Sequence, residues 1–91
     1  MAAFDWDDAK AVSNLRKHSV SFGEAQTVFA DPQAITQYDE KHSQSEDRFV
    51  TLGISASGRL LVVAHTDDGD NIRIISDRKS TRREMKVYGD R

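Results

Sequence analysis

Two glycine-containing turns in the second half of the chain constrain its fold most, because each separates two apolar runs. Residues 49–54 and 60–66 flank Ser57-Gly58, and a third run, 71–76, follows the segment Asp-Asp-Gly-Asp at 67–70. A glycine turn between two such runs is among the strongest sequence signals of a β-hairpin. The sequence therefore predicts three neighbouring antiparallel strands joined by two hairpins.

The faces of this sheet follow from its turns. If each turn has two residues, the facing pairs are Ile54 with Leu61, Leu52 with Val63, and His65 with Ile72. Because side chains alternate along a strand, one face then collects the apolar core residues Val50, Leu52, Ile54, Leu61, Val63, Ile72 and Ile74. The other face is more polar and carries Thr51, Gly53, Ser55, Val62, Ala64, Arg73 and Ile75. Its arginine is a candidate anion ligand, and the alternative is a guanidinium that only reaches water.

A first helix is expected before the sheet. Asp7 is suited to cap it, because a carboxylate accepts hydrogen bonds from the unpaired amides of a first turn, and the helix reaches about His18. Spacing predicts a buried apolar stripe of Ala11, Val12 and Leu15. The opposite side carries Lys10, Asn14 and Lys17.

A second helix and two further strands complete the prediction. Ser21 and Glu24 have the spacing of a capping box, and Pro32 ends the helix that follows. The buried face of this helix is Phe22, Ala25, Val28 and Phe29. We expect short strands at residues 3–6 and 34–38 and a loop at 39–47. A C-terminal helix is expected at 79–88. The expected fold is α+β, a small antiparallel sheet with two N-terminal helices on one face and a C-terminal helix.

Composition excludes several classes of protein. The 91 residues indicate a single domain, residues 1–91, and the absence of cysteine excludes disulfides, thiol nucleophiles and sulfur-ligated zinc. The three histidines lack metal-ligand spacing, so we expect no metal and no cofactor. No uncharged run is long enough to span a membrane, and the N-terminus lacks the pattern of a secretory signal. We therefore expect a cytoplasmic protein without a membrane partner.

The net charge of −2 hides an uneven distribution. Residues 31–47 hold five acids and one base, whereas residues 72–91 hold seven bases and three acids. In the C-terminal helix, Arg78, Arg82 and Lys86 recur every four residues and predict one basic stripe, with Lys79 and Arg83 beside it and with Thr81, Met85 and Tyr88 buried. Such a stripe suits phosphates or an acidic partner, and the alternative is an ordinary solvated face.

Three aromatic or imidazole residues have two interpretations each. His18 follows Lys17 at a helix end, where it either interacts with the helix dipole or transfers protons near neutral pH. Trp6 belongs to the core or its rim, or stacks on a base, and Tyr88 is a core or a catalytic residue. We expect a structural role for His65, on the core face.

Two dense motifs give the chain a family resemblance. They are W-D-x-x-K-x-x-x-N-x-x-K-H from Trp6 to His18, and R-I-I-S-x-R followed by R-R-E-x-x-x-Y from Arg73 to Tyr88. With the stretches 28–32, 48–53 and 58–66, the chain resembles the BrnT toxins, the ribonuclease half of the BrnT/BrnA type II toxin–antitoxin systems. The resemblance covers nearly the whole chain.

The resemblance implies a RelE-like fold and metal-independent cleavage of RNA that inhibits translation and growth. It implies a cognate, BrnA-like antitoxin that occludes the toxin, with operator DNA bound only by the toxin–antitoxin complex. A homodimer and a 2:2 complex are both open. The catalytic candidates that it implies are Lys17, His18, Arg73, Arg78 and Tyr88. The candidates for RNA binding are Trp6, Lys10, Arg82 and Arg83.

The sequence departs from the family pattern at three positions. Ser19 replaces the usual glycine after Lys-His, Asp77 replaces a small residue, and Ser80 replaces an alanine. Asp77 lies between Arg73 and Arg78, so we expect it to lower the positive potential there. Two non-enzymatic alternatives remain open: a binding module whose basic helix holds an antitoxin or operator DNA, and a structural dimer subunit with a solvated basic face.

Overall fold

A computed structural model describes residues 3–90, which form a five-stranded sheet with three α-helices. The strands are β1 (Ala3–Asp5), β2 (Ile35–Tyr38), β3 (Phe49–Ile54), β4 (Leu60–Asp67) and β5 (Asn71–Lys79). The α-helices are α1 (Asp8–His18), α2 (Phe22–Thr27) and α3 (Arg82–Gly89), and 3-10 turns span Val28–Ala30 and Glu40–His42. The strand order is β1-β5-β4-β3-β2; β1 runs parallel to β5 and the other neighbours are antiparallel. The predicted α+β class is confirmed.

Both predicted hairpins are present, but their turns are longer than two residues. Residues 55–59 join β3 to β4, and residues 68–70 join β4 to β5. Gly58 and Gly69 have φ angles of 84° and 94°, a conformation that favours glycine. The predicted register is therefore wrong: Ile54 pairs with Leu60, Leu52 with Val62, and His65 with Ile74 beside an irregularity in the β4–β5 pairing.

The shifted register exchanges the two faces of β3. Thr51 and Gly53 lie on the helix-covered face, and Val50, Leu52 and Ile54 lie on the other. Gly53 fits because a Cβ atom there would lie 2.8 Å from a Val28 methyl group. The assignments along β4 are correct, and Arg73, which pairs with Thr66, lies on the face away from the core as expected.

The core lies between α2 and the centre of the sheet. Its fully buried members are Val20, Phe22, Ala25, Val28, Leu61, Val63 and Ile74. The apolar spacing predicted for α2 is confirmed, with Phe29 packed at the margin. Ser21 accepts a hydrogen bond from the Glu24 amide at 3.0 Å, but the Glu24 carboxylate bonds Arg59 instead of closing the capping box.

The predicted apolar stripe of α1 is correct at Ala11, which packs against the core, and wrong at its other two positions. Val12 and Leu15 are 58% and 49% exposed, whereas Asn14 is buried. The Asn14 amide donates to the backbone oxygen of Val20 at 3.1 Å and to the Asp77 carboxylate, and its oxygen accepts from the Asp77 amide at 3.1 Å. A buried carboxylate needs a polar partner, so this contact outweighs the apolar spacing in orienting the helix.

The start of α3 also differs from expectation. Strand β5 continues to Lys79, so Arg78 is a strand residue, and the basic stripe predicted through Arg78 along one helix is wrong. The helix begins after Thr81, whose hydroxyl and amide form a capping box with Glu84. Met85 is exposed instead of buried, while Tyr88 is half-buried. Within residues 3–90, no helix is long and apolar enough to cross a bilayer.

Ser19 ends α1 in a left-handed conformation, with φ 60° and ψ 30°. A side chain at this position costs about 1 kcal/mol that glycine avoids. We expect Ser19→Gly to raise the free energy of unfolding by about 0.5–1 kcal/mol, measured by urea denaturation. Ser13→Gly, in the exposed interior of the same helix, is the control and should lower it by a similar amount. A destabilising Ser19→Gly would contradict this explanation of the family's glycine.

Candidate functional site

Three elements carry basic residues to one end of the sheet, with α1 packed on the core face and Arg78 on the opposite face. The end of α1 lies there, because the Arg59 guanidinium donates to the Ser19 carbonyl at 3.3 Å. The end of β5 lies there too, because the Ser80 amide donates to the Leu60 carbonyl at 3.0 Å, and α3 starts immediately beyond. We call this the basic end, and define it as Arg16, Lys17, His18, Arg78, Lys79, Arg82 and Arg83.

Most cations of the basic end lack acidic partners. Within residues 3–90, no hydrogen bond or ion pair involves the side chains of Arg16, Lys17, Lys79, Arg82 and Arg83, all of them exposed. His18 is half-buried at the last position of α1. Uncompensated positive charge attracts phosphates, and an imidazole at the same end of the sheet is a candidate proton-transfer group.

Arg78 is held by Glu84. Its two terminal nitrogens donate to the two carboxylate oxygens at 2.8 and 2.9 Å, and Nη1 also donates to the Lys79 carbonyl at 3.2 Å. These hydrogen bonds raise the pKa of Arg78 and lower the pKa of Glu84 to about 2. The Arg78 guanidinium is therefore held in one orientation and stays charged at neutral pH.

Arg73 lies away from the basic end. Its guanidinium contacts Glu46, and Asp5, Asp47, Asp67 and Asp68 line the same polar pocket. Arg73 and Arg78 are five residues apart in one extended strand, which separates their Cα atoms by about 16 Å. Their side chains bond acids at opposite ends of the sheet, so the structure does not bring these two predicted phosphate ligands together.

The remaining candidates lie apart from one another. Trp6 packs edge-on against Phe22 in the core, with ring centroids 6.0 Å apart. Lys10 is exposed on α1, two helical turns or about 10 Å before Lys17. The Tyr88 hydroxyl donates to the Asp31 carboxylate at 2.6 Å, near the end of α3 rather than its start. The catalytic and RNA-binding roles of all these residues stay predictions.

Sequence reasoning missed the polar pairs that shape the site. Glu84 belongs to the motif R-R-E-x-x-x-Y, and its three-residue spacing from Thr81 is the sequence signal of a capping box. Nothing local indicated the pairing of Asn14 with Asp77, which are 63 residues apart. We expected Asp77 to lower the positive potential between Arg73 and Arg78. This expectation is wrong, because the Asp77 carboxylate is buried on the core face, while both arginines lie on the other face.

Asp77 is a buried acid with an incomplete set of partners. One carboxylate oxygen accepts from Asn14, while the other is buried without a hydrogen bond within the described residues. Burial raises the pKa of Asp77 to about 7, although the hydrogen bond from Asn14 opposes the shift. His65 is also buried; its Nε2 lies 2.7 Å from the Thr51 hydroxyl and burial lowers its pKa, as expected for a structural histidine.

One other surface does not match the candidate residues. An apolar groove beside α2 is lined by Phe4, Phe29, Ile54, Ile72 and Tyr88 among others, and of the predicted site residues only Tyr88 belongs to it. In the part of the chain from 3 to 90, no group of three or more histidine or acidic side chains has the geometry of a metal site. The basic end is therefore the surface that carries most of the sequence-predicted residues.

Comparisons with known proteins agree with this structure. A family model described as the ribonuclease toxin BrnT of type II toxin–antitoxin systems matches residues 6–84. The crystal structure of the Brucella abortus ribonuclease toxin BrnT matches with a TM-score of 0.64 and 18% identity, over 90% of this chain and 100% of that chain. This match shows that the two proteins share a fold. The comparison with curated proteins gave no match. Because the family model spans most of the sequence, the chain belongs to the BrnT family of ribonuclease toxins of type II toxin–antitoxin systems.

Proposed function

We propose that the basic end is the site at which this protein cleaves RNA, and that the cleavage needs no metal ion. The observation that carries the proposal is the set of exposed cations without acidic partners at the basic end, together with an Arg78 that Glu84 holds in one orientation. Arginines neutralise charge that develops on a phosphate and orient the phosphate, and these are two functions that a metal ion performs in metal-dependent nucleases.

The reaction is an internal transfer on the RNA backbone. A 2′-hydroxyl loses its proton and its oxygen attacks the adjacent phosphorus, and the bond from phosphorus to the 5′-oxygen breaks as that oxygen gains a proton. Arg78 would stabilise the charge that develops on the phosphate oxygens. His18 and Lys17 would accept and donate the protons, a contribution of roughly 10²–10⁴-fold in rate.

The other candidates receive supporting roles. Arg82, Arg83 and Lys10 are exposed and suited to hold flanking phosphates. Arg73 would meet a different phosphate from Arg78, and only after it leaves Glu46. Tyr88, whose hydroxyl donates to Asp31, would take part in proton transfer only after it exchanges that bond for the RNA, and Trp6 would reach a base only at the rim of its packing against Phe22.

We further propose that a cognate antitoxin neutralises the toxin in the cytoplasm and that operator DNA is bound by their complex. Exposed apolar side chains on α1 and α3, namely Val12, Leu15, Met85 and Val87, support a protein partner, because such residues favour burial. An acidic antitoxin segment would complement the basic end directly. The toxin site and the antitoxin surface would then overlap within a chain of 91 residues.

Cleavage of a defined RNA in EDTA tests the proposal. We expect the purified full chain to cut the RNA equally fast with EDTA and with magnesium, and to slow as salt rises, because salt screens phosphate contacts. Loss of cleavage in EDTA would overturn the metal-free mechanism. Intact RNA under every condition, with RNA or antitoxin still bound by a folded chain, would favour the non-catalytic binding module.

A further inference from the structure

The hydrogen bonds of Arg78 leave a defined part of its guanidinium unused. An arginine has five N–H donors. Glu84 takes one hydrogen from each terminal nitrogen, and the Lys79 carbonyl takes a second one from Nη1. Two donors remain, the Nε hydrogen and the second hydrogen on Nη2. These two lie parallel along one edge of the planar group, which is the edge that binds two oxygens of one phosphate.

We propose that Glu84 is a positioning residue that presents this free edge of Arg78 to the RNA phosphate that is cut. The inference rests on the proposed function and adds to it a residue that touches no substrate atom. A pair of parallel donors acts on a transition state only if its direction is fixed, since reorienting it during the reaction costs free energy. Glu84 supplies that direction through a two-point contact.

The position of Glu84 is itself fixed by the start of α3. Its carboxylate accepts from the Thr81 amide at 2.8 Å, and the Thr81 hydroxyl accepts from the Glu84 amide at 3.2 Å. The preceding Ser80 amide is bonded to Leu60 in β4, which joins this turn to the sheet. Arg82 and Arg83 occupy the same turn. One short segment thus orients Arg78 and displays two cations for neighbouring phosphates.

Because Glu84 is negatively charged, its effect on the orientation of Arg78 can be distinguished from its effect on the affinity for RNA. A negative side chain beside three arginines weakens the attraction of the basic end for RNA. Removing it should therefore leave the KM for RNA unchanged or lower it, while the loss of Arg78 orientation lowers kcat. A residue that served only to stabilise the helix would change neither parameter in this opposed way.

A double-mutant cycle on the full chain tests the inference. We expect Glu84→Ala to lower kcat about tenfold without raising KM, and to have less than a twofold effect on kcat when Arg78 is already alanine. Glu84→Gln, which keeps one acceptor oxygen, should recover part of kcat. Met85→Gly, at an exposed position in α3, weakens the helix but removes no contact of Glu84 or Arg78, so its melting temperature should fall while kcat stays within twofold of wild type.

The possible outcomes separate the inference from the function on which it rests. Equal losses from Glu84→Ala in the wild-type and Arg78→Ala backgrounds would show that Glu84 does not act through Arg78. A kcat unchanged or raised in Glu84→Ala would also overturn the positioning role. Absence of cleavage by the wild-type chain would instead refute the proposed function.

Discussion

Replacing Arg78 by alanine should lower the rate of RNA cleavage by about 100- to 1000-fold, the usual loss when a donor to a developing oxyanion is removed. Arg78 is the one predicted phosphate ligand that the described residues both fix in orientation and place at the basic end. Arg78→Lys keeps the charge but loses the planar pair of donors, so we expect an intermediate loss of about tenfold. Initial rates on a defined RNA give these values.

Two further variants are controls for the Arg78→Ala result. Arg73→Ala removes a paired arginine from the same face of the same strand. We expect a loss of less than about tenfold, because Arg73 lies in a pocket lined by acidic residues at the other end of the sheet. Lys41→Ala removes an exposed cation remote from the site and should cleave as fast as wild type. A larger loss at Arg73 than at Arg78 would move the cut phosphate to the other end of the sheet.

Replacing Asp77 by asparagine should stabilise the protein by an amount that grows as pH rises from about 4 to about 7. Burial raises the pKa of Asp77 to about 7 from an ordinary value of 3.8, so the folded state binds the proton more tightly than the unfolded state. The stability associated with this proton is present in full below about pH 4 and is lost as pH rises to about 7. The rise of this pKa from 3.8 to about 7 corresponds to roughly 4 kcal/mol of unfolding free energy.

Urea denaturation of both proteins between pH 5 and pH 8 measures this effect. The free energy of unfolding of Asp77→Asn should exceed that of wild type by an amount that grows with pH, reaching about 2–4 kcal/mol at pH 8. Glu24 and Glu84, whose pKa values are lowered to about 2, destabilise both proteins alike as pH falls below about 4.5. Asp70→Asn, in the exposed β4–β5 turn, is the control. Parallel pH profiles for Asp77→Asn and wild type would show that Asp77 is ionised in the folded protein.

The elements of this fold were predictable because they depend on local patterns. Apolar runs and glycine turns located β3, β4 and β5, and spacing located α2 with its buried Phe22, Ala25 and Val28. The register of the strands was not predictable, because it depends on the lengths of the turns, which the amino-acid sequence does not determine unambiguously. A five-residue connection at 55–59 was enough to exchange the faces of β3.

Long-range polar contacts account for the other differences. The orientation of α1 follows from the pairing of Asn14 with Asp77, which no local spacing indicates. The separation of Arg73 from Arg78 follows from the length of β5, which continues three residues beyond its apolar stretch. The charged residues of the basic end were nearly all recognised in the sequence, since charge is visible there, but their grouping required the fold.

The central claim is that RNA binds at the basic end, and amide chemical-shift mapping tests it most directly. A short RNA with 2′-O-methyl groups at every position binds but cannot be cleaved, because the attacking hydroxyl is absent. We predict that the largest shift changes on titration fall in residues 16–19 and 78–86, with small changes in residues 39–47 and 67–71. The largest changes in the two acidic segments, or none at low salt, would contradict the account.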